Sequence, residues 1–346
     1  VRVRRLREAL GAVEGLFHQP TSRLAGVEGV GQAVAESIRG WEKSFSLADE
    51  LKEIEKLGLQ VVDVEDPAYP PLLREIHDPP MVLYYRGTLD AVRGAAIGVV
   101  GTREATGYGI EWAKKLGYQL AYAGVGVISG LARGIDTAAH QGALAAKGRT
   151  AAVLGCSMDQ VYPSENRALA EKMEESGGCV MSEFCLGTPP DRQTFPMRNR
   201  IVSGLSKGLL VVEAARASGA MITAKQALEQ GRQVFAVPGR IDHPQSGGCH
   251  QLLKEGARLV ESVEDVLAEF EFLLPPAEMP TPNPPQGELG EQEKRVLQAL
   301  AREEMHMDEL TRKCGLPSPA VSATLLKLEM KRRVRQMPGK YFTRID

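Results

Sequence analysis

Between residues 94 and 270, short apolar runs alternate with longer amphipathic stretches, and this alternation limits the fold more than any other feature of the chain. The runs are Ala95–Gly101, Gly124–Gly130, Thr150–Gly155, Cys179–Ser182, Gly208–Glu213 and Gln233–Val237. Between them, Tyr108–Ala123, Asp136–Lys147, Asn166–Glu175 and Ala220–Gly231 read as helices. A strand apolar on both faces must be covered on both faces, and strands separated by helices pair in parallel. The expected domain is α/β, with a doubly wound, mostly parallel sheet.

At 346 residues the chain is too long for that domain alone. Residues 1–65 read as a small helical domain of the SAM or helix-hairpin-helix kind. Within Leu24–Ala35, Gly29-Val30-Gly31 supplies a tight turn. The amides opening the next helix either meet a phosphate or merely close a turn between packed helices. The main domain is assigned to residues 66–270. It opens with a proline-punctuated stretch from Pro67 to Pro80 and a short strand at Met81–Tyr85. Residues 271–290, with Pro275, Pro276, Pro280, Pro282, Pro284 and Pro285, read as a linker. Residues 291–346 restart as helices Glu291–Ala301, Met307–Cys314 and Pro319–Met330. Gly315-Leu316-Pro317 forms the turn, and Val334–Phe342 folds as two short strands around Pro338-Gly339. That is the outline of a winged helix-turn-helix.

The formal net charge is −2, so a polyanionic partner would have to meet locally concentrated cations. The five cysteines form no CxxC pair, which suits reduced thiols in a cytosolic protein rather than disulfides or structural zinc. A site from His243, Cys249 and His250 matches no zinc spacing, and no metal or cofactor is expected. No apolar segment follows the basic first residues, and no apolar run is long enough for a membrane span. A cytoplasmic location is the expectation.

In an open parallel sheet, ligands bind at the carboxyl ends of the strands, close to helix starts. The loops there carry Gly101-Thr102-Arg103, then Ser129-Gly130 with Arg133 and Asp136, both with an arginine where backbone amides and a helix dipole favour an anion. Neither is a G-x-G-x-x-G fingerprint, and no Gly-Lys-Ser/Thr is present, which argues against NAD binding and a P-loop ATPase. Two further loops point to the same edge: Cys156 to Asn166, and Ser182 to Arg200. The second packs Arg192, Phe195, Arg198, Asn199 and Arg200 into nine residues. Cations that track phosphates, beside an aromatic face that stacks a base, form the mixture that holds single-stranded nucleic acid. The bland alternative makes Phe195 core and the arginines ion-pair partners of Glu183 and Asp191.

Taken together and in order, these loops resemble one family. Val100-Gly101-Thr102-Arg103, Ser129 to Asp136, Tyr162-Pro163 with Asn166, Phe195-Pro196 with Arg198-Asn199-Arg200, Ser218-Gly219 with Ile222-Thr223, and Val237-Pro238-Gly239 are similar to the signature of the DprA/Smf DNA-processing family. The resemblance is strongest over residues 94–260. It implies a Rossmann-like core and a non-enzymatic protein that binds and protects incoming single-stranded DNA. It further implies loading of the RecA recombinase in natural transformation and recombination, and a homodimer. Arg103, Arg192 and Phe195 are carried over as leading DNA contacts. Gly101, Thr102, Ser129, Gly130, Arg133, Asn166, Arg198, Asn199, Arg200, Ser218, Gly219 and Thr223 are expected to line or support the pocket. The sequence departs from the family pattern at Ser157, Cys185 and His250.

Two other readings stay open at this stage. One is a LOG-type nucleotide phosphoribohydrolase, although Glu213 precedes the turn where that chemistry needs a downstream carboxylate. The other is a winged-helix regulator responding to a nucleotide. Lys327, Lys331, Arg332 and Arg333 are candidate winged-helix contacts to phosphate, set against Glu303, Glu304, Asp308, Glu309 and Glu329 nearby.

Overall fold

The computed structural model describes residues 2–270, 291–300, 305–318, 333–337 and 341–344, with Ala320, Val321, Thr324, Leu325 and Leu328. It divides into two compact units, Val1–Leu273 and Leu274–Asp346.

The first unit is built on a nine-stranded sheet. Its strands are β1 (Gln60–Asp63), β2 (Val82–Gly87), β3 (Ala96–Val100), β4 (Gly126–Ser129), β5 (Thr150–Val153), β6 (Cys179–Ser182), β7 (Gly208–Val211), β8 (Gln233–Ala236) and β9 (Arg258–Leu259). Their order is β1-β2-β6-β5-β4-β3-β7-β8-β9. The pairings from β6 to β9 are parallel, and β1 and β2 add an antiparallel edge. The chain builds outward from β3 to β6, then returns past β3 to build β7, β8 and β9 on the other side. Right-handed crossovers then place helices on opposite faces of the two halves. The expected doubly wound, Rossmann-like sheet is therefore present.

Burial on both faces explains why the strands lack a polar side. Ala151, Val153, Cys179 and Met181 belong to one apolar cluster, while the intervening Ala152 and Val180 belong to another. The first cluster takes Ile201 and Val202 from the Thr194–Gly204 helix and Ala220, Ala224 and Ala227 from the Gly219–Glu229 helix. The second takes Ala170 and Met173 from the Arg167–Glu175 helix. A period of two thus persists inside runs that read as uniformly apolar.

The N-terminal helices Arg2–Leu10, Val13–Leu16, Thr21–Ala25 and Gln32–Arg39 surround a small core of Leu6, Leu16, Leu24, Val30 and Ala35, whereas Ile54 of the following helix, Leu47–Lys56, packs on the cluster of Leu59, Tyr84 and Leu154. The expected hairpin turn is present. Gly29 takes φ +80, and the Gly31 carbonyl accepts from Val34 and Ala35. Arg5 reaches the Glu28 carbonyl at 3.2 Å and its carboxylate at 3.3 Å. That places an acid, not an open cation, beside the turn. Buried Glu50 ties the last of these helices to the core by accepting from the Leu186 amide at 3.0 Å.

The second unit holds helices Glu291–Ala299 and Met307–Cys314. Its three-stranded sheet is ordered β10-β12-β11, with β10 (Met305–His306), β11 (Val334–Met337) and β12 (Tyr341–Arg344). Val296, Leu300, Leu310, Val321, Leu325, Leu328, Val334 and Phe342 form its core. The described part of the third expected helix is helical. This is a winged helix, and β10 is a strand that the sequence pattern did not announce. The Pro-rich segment 271–290, Pro338-Gly339 and the side chains of Lys327, Lys331 and Arg332 lie outside the described residues.

Candidate nucleic-acid interface

The strand order reverses between β3 and β7, so the loops leaving their carboxyl ends diverge and open a crevice. A cleft of about 380 Å³ lies there. Its walls come from the loops after β3 and β4, the Thr194–Gly204 helix with Arg192 before it, and the start of the Gly219–Glu229 helix.

Each wall is fixed by local chemistry. Gly101 must be glycine, because a Cβ would fall 2.4 Å from Ile135 Cγ1 and 2.7 Å from the Glu213 carbonyl. The Thr102 amide donates to that carbonyl at 2.7 Å. The buried Glu213 carboxylate accepts from the Thr106 amide and hydroxyl, both at 2.8 Å, and Thr106 in turn caps the Gly107–Tyr122 helix. Glu213 is therefore engaged in holding the β3 and β7 loops together. It does not stand in the cleft as an acid catalyst would.

The loop after β4 is clamped from two sides. Asp136 accepts from the Gly130 and Ala132 amides at 3.1 and 3.3 Å. Arg198 donates to the Gly130 carbonyl at 2.6 Å and to the Val153 carbonyl. Both side chains are buried. Burial lowers the Arg198 guanidinium to about 10, so it stays charged at neutral pH. Burial raises the Asp136 carboxyl, while the Arg198 charge and the two amides pull it back.

Two arginines at the cleft are exposed. Arg103 lies with Cζ 4.8 Å over the Phe195 ring, and the Phe195 ring tilts against Tyr162 at 5.9 Å. Arg192 stands on the wall formed with the Thr194–Gly204 helix. Among the described residues neither Arg103 nor Arg192 forms an ion pair with an acid, although exposed Glu104 also borders the cleft. Ser218, Gly219, Ala220 and Thr223 present the first turn of an eleven-residue helix. The Ser218 Oγ is buried without a hydrogen-bond partner among the described residues. The unpaired amides and positive dipole end of such a turn favour an anion.

Of the residues singled out from sequence, Gly101, Thr102, Arg103, Gly130, Arg192, Phe195, Arg198, Asn199, Ser218, Gly219 and Thr223 come together at the cleft. Four do not offer a free contact. Ser129 is buried and donates to the Val99 carbonyl at 2.6 Å. Asn166 donates at 2.8 Å to both the Leu131 carbonyl and Thr137 Oγ1. Arg200 turns away to Glu183, at 2.5 and 2.7 Å, and to the Asp78 carbonyl at 3.0 Å. Arg133 stands beside the cleft, paired with Glu165. For Arg200 the ion-pair alternative holds, with Glu183 as the partner; Asp191 instead accepts from the Gln193 amide at 2.8 Å. Sequence reasoning passed over Asp136, Glu104 and Tyr162 as site residues. Asp136 and Tyr162 both lie inside the family motifs, but the return of the Asp136 carboxylate to the Gly130 amide six residues earlier has no sequence pattern that marks it.

The three departures from the family pattern are absorbed locally. Ser157 donates to the Thr188 carbonyl at 2.9 Å, Cys185 is exposed, and His250 Nε2 lies 3.0 Å from the Gly239 carbonyl. Among the described residues no cluster of three metal-ligating side chains occurs, and no helix is long and apolar enough to cross a membrane.

The chain matches the family model for DNA recombination-mediator protein A over residues 60–271 and that for the DprA winged helix domain over residues 280–340. It is 40% identical over 300 residues to Protein Smf of Escherichia coli, covering 86% of this chain and 80% of the relative. It is 42% identical over 231 residues to DNA processing protein DprA of Streptococcus pneumoniae, covering 67% and 81%. The X-ray structure of the Streptococcus pneumoniae DprA superposes with a TM-score of 0.67 at 38% identity, over 78% of this chain and 92% of that one. The structure of DNA processing protein A from Helicobacter pylori, reported for its single-stranded DNA binding mode, gives 0.56 at 27% identity, over 62% and 96%. With more than half of its length inside the family model and its Rossmann-like core and winged helix both accounted for, the chain belongs to the DNA recombination-mediator protein A family, that of DprA and Smf.

Proposed function

We propose that the chain binds single-stranded DNA in the cleft between β3 and β7 and holds it without chemical change. In this reading it shields the strand and promotes RecA loading on it in DNA uptake and recombination, acting as a homodimer. The observation that carries the reading is Arg103 lying over Phe195 beside a helix N-terminus. A guanidinium and a ring lie where a base can stack, and the amides of a helix start lie where its phosphate can rest. The relatives' DNA-processing names and the single-strand binding reported for the Helicobacter pylori protein agree with it. A hydrolase finds little support. Glu213 is tied to Thr106, Asp136 is tied to two loop amides, and Glu104 would be left to act alone.

The test is fluorescence anisotropy with labelled single-stranded and duplex oligonucleotides across a salt series. Wild type should prefer the single strand. Arg103→Ala and Arg192→Ala should each weaken binding about tenfold and flatten its salt dependence without lowering the melting temperature. Unchanged affinity in both variants would move binding away from the cleft. Sedimentation reads the dimer, and RecA assembly on the same strand, with and without the protein, reads the loading step.

A further inference from the structure

A smaller recess adjoins the cleft and shares Arg103, Gly130, Phe195 and Arg198 with it. Its far side is formed by Arg133, Tyr162 and Pro163. Tyr162 is 40% exposed, although an aromatic ring that served only to buttress Phe195 would gain by burial. Its ring stands 5.9 Å from that of Phe195 at 44°, and the Arg103 Cζ lies 4.8 Å from the Phe195 centroid. The order along the rim is therefore guanidinium, ring, ring, guanidinium.

The last member of this row is occupied. Arg133 Nε and Nη2 both donate to Glu165 Oε1, at 2.9 and 2.5 Å, and both side chains are 57% exposed. An exposed pair of this kind is weakly held, and a phosphate presents the same acceptor oxygens with more charge. Glu165 lies three residues beyond Tyr162, so stacking ring and paired cation are set by one short loop.

We propose that Tyr162 and Arg133 form a second nucleotide subsite, in which Tyr162 stacks the base next to the one on Phe195 and Glu165 occupies Arg133 until a strand phosphate displaces it. This inference rests on the single-strand reading of the main cleft and adds a direction to it. The strand leaves the cleft over the loop that follows β5. The row Arg103, Phe195, Tyr162, Arg133 makes the site a track for consecutive nucleotides.

The experiment compares wild type with Tyr162→Ala, Tyr162→Phe, Glu165→Gln and Arg133→Ala/Glu165→Gln on a labelled oligothymidylate, by anisotropy across a salt series. Arg103→Ala serves as the reference for the main cleft, and Glu171→Gln as a control for the loss of one negative charge. Tyr162→Ala should weaken binding about fivefold or more, and Tyr162→Phe, which keeps the ring and loses only the hydroxyl that interacts with Arg133, should retain most of the affinity. Glu165→Gln should tighten binding two- to fivefold and steepen the salt dependence by nearly one ion. That gain should be absent from Glu171→Gln and lost in the double variant. Strands carrying 5-iodouracil should also photo-crosslink to Tyr162 in the wild-type protein, a readout that needs no variant to fold. If Arg103→Ala abolishes binding while Glu165→Gln and Tyr162→Ala leave it unchanged and no crosslink maps to Tyr162, the second subsite is wrong and the main cleft stands. If Arg103→Ala has no effect, the underlying reading fails first.

Discussion

Replacing Arg198 by methionine tests whether the cleft floor is held by charge or by shape. The variant keeps the length and apolar stem of the side chain but removes the donors to the Gly130 and Val153 carbonyls and the charge that faces Asp136. Removing one member of a buried charged set costs about 3–5 kcal/mol, because the other charge is left uncompensated. Against a typical stability of about 5–15 kcal/mol that is a large fraction. At about 2–4 °C per kcal/mol for a unit of this size, the midpoint should fall by roughly 6–20 °C. The loss also has a pH signature. Asp136 has a folded pKa raised above its unfolded value by burial, so its contribution favours the folded state at low pH and is lost as pH rises through the folded pKa. Without Arg198 that pKa rises further, and the penalty at pH 8 should exceed that at pH 5. Urea melts of wild type and variant at both pH values measure the difference. Asp136→Asn in the methionine background should recover part of the loss at pH 8. An equal loss at both pH values would refute the charge argument and assign the cost to the two orphaned carbonyls alone.

Other outcomes follow from the same geometry. Arg200→Ala breaks the half-buried pair with Glu183 and should lower the melting midpoint while leaving the affinity of the folded protein for single strands unchanged; a tenfold loss of affinity at full stability would put Arg200 back in the site. His140 is buried with Nδ1 2.7 Å from Thr150 Oγ1, and burial pushes its imidazole down to about 3. Its folded pKa lies below its unfolded value, so its contribution is full above pH 6.5 and is lost by about 1.4 kcal/mol per unit as pH falls. His140→Gln should flatten that part of the acid limb in denaturant melts. Gly219→Asp places a carboxylate at the start of the Gly219–Glu229 helix, where the dipole tolerates it, and should raise stability slightly while weakening oligonucleotide binding severalfold.

The parallel sheet was legible because burial on two faces leaves a strong trace: the runs around Cys179 and Gln233 predict β6 and β8 to within a residue. β1 and β9 were not, since Gln60–Asp63 is exposed at three of its four positions and Arg258–Leu259 at both. An edge strand half in water has no continuous apolar run to read. The cleft was legible for a different reason. Once the sheet is doubly wound, the switch point between β3 and β7 dictates which loops meet, and their glycines and arginines can be listed from sequence. What could not be read is the direction of each side chain. Arg198 and Arg200 lie two residues apart in the middle of one helix, about 200° around its axis, so one closes the cleft floor and the other reaches Glu183 on a different face. No composition argument separates them, because the partners that claim them come from loops remote in sequence.

The same distinction bears on how a chain of net charge −2 would hold the single strand proposed for its cleft. Away from the cleft, several cations of the first unit are neutralised by neighbours: Arg4 by Glu8, Arg7 by Glu65, Arg240 by Asp242 and Arg258 by Glu269. Such exposed pairs add little stability, yet each cancels a field that would otherwise attract nucleic acid indiscriminately. Arg103 and Arg192 lack such a partner among the described residues and face a crevice where a helix dipole adds to their field. Attraction then depends on a few uncancelled charges in one concave place and not on total basicity. Mutating a paired surface arginine such as Arg240 should therefore leave the salt dependence of single-strand binding unchanged, whereas each cleft arginine removed should lower its slope by close to one ion. A slope that fell equally for Arg240→Ala and Arg103→Ala would mean that the overall surface field, not the cleft, governs binding.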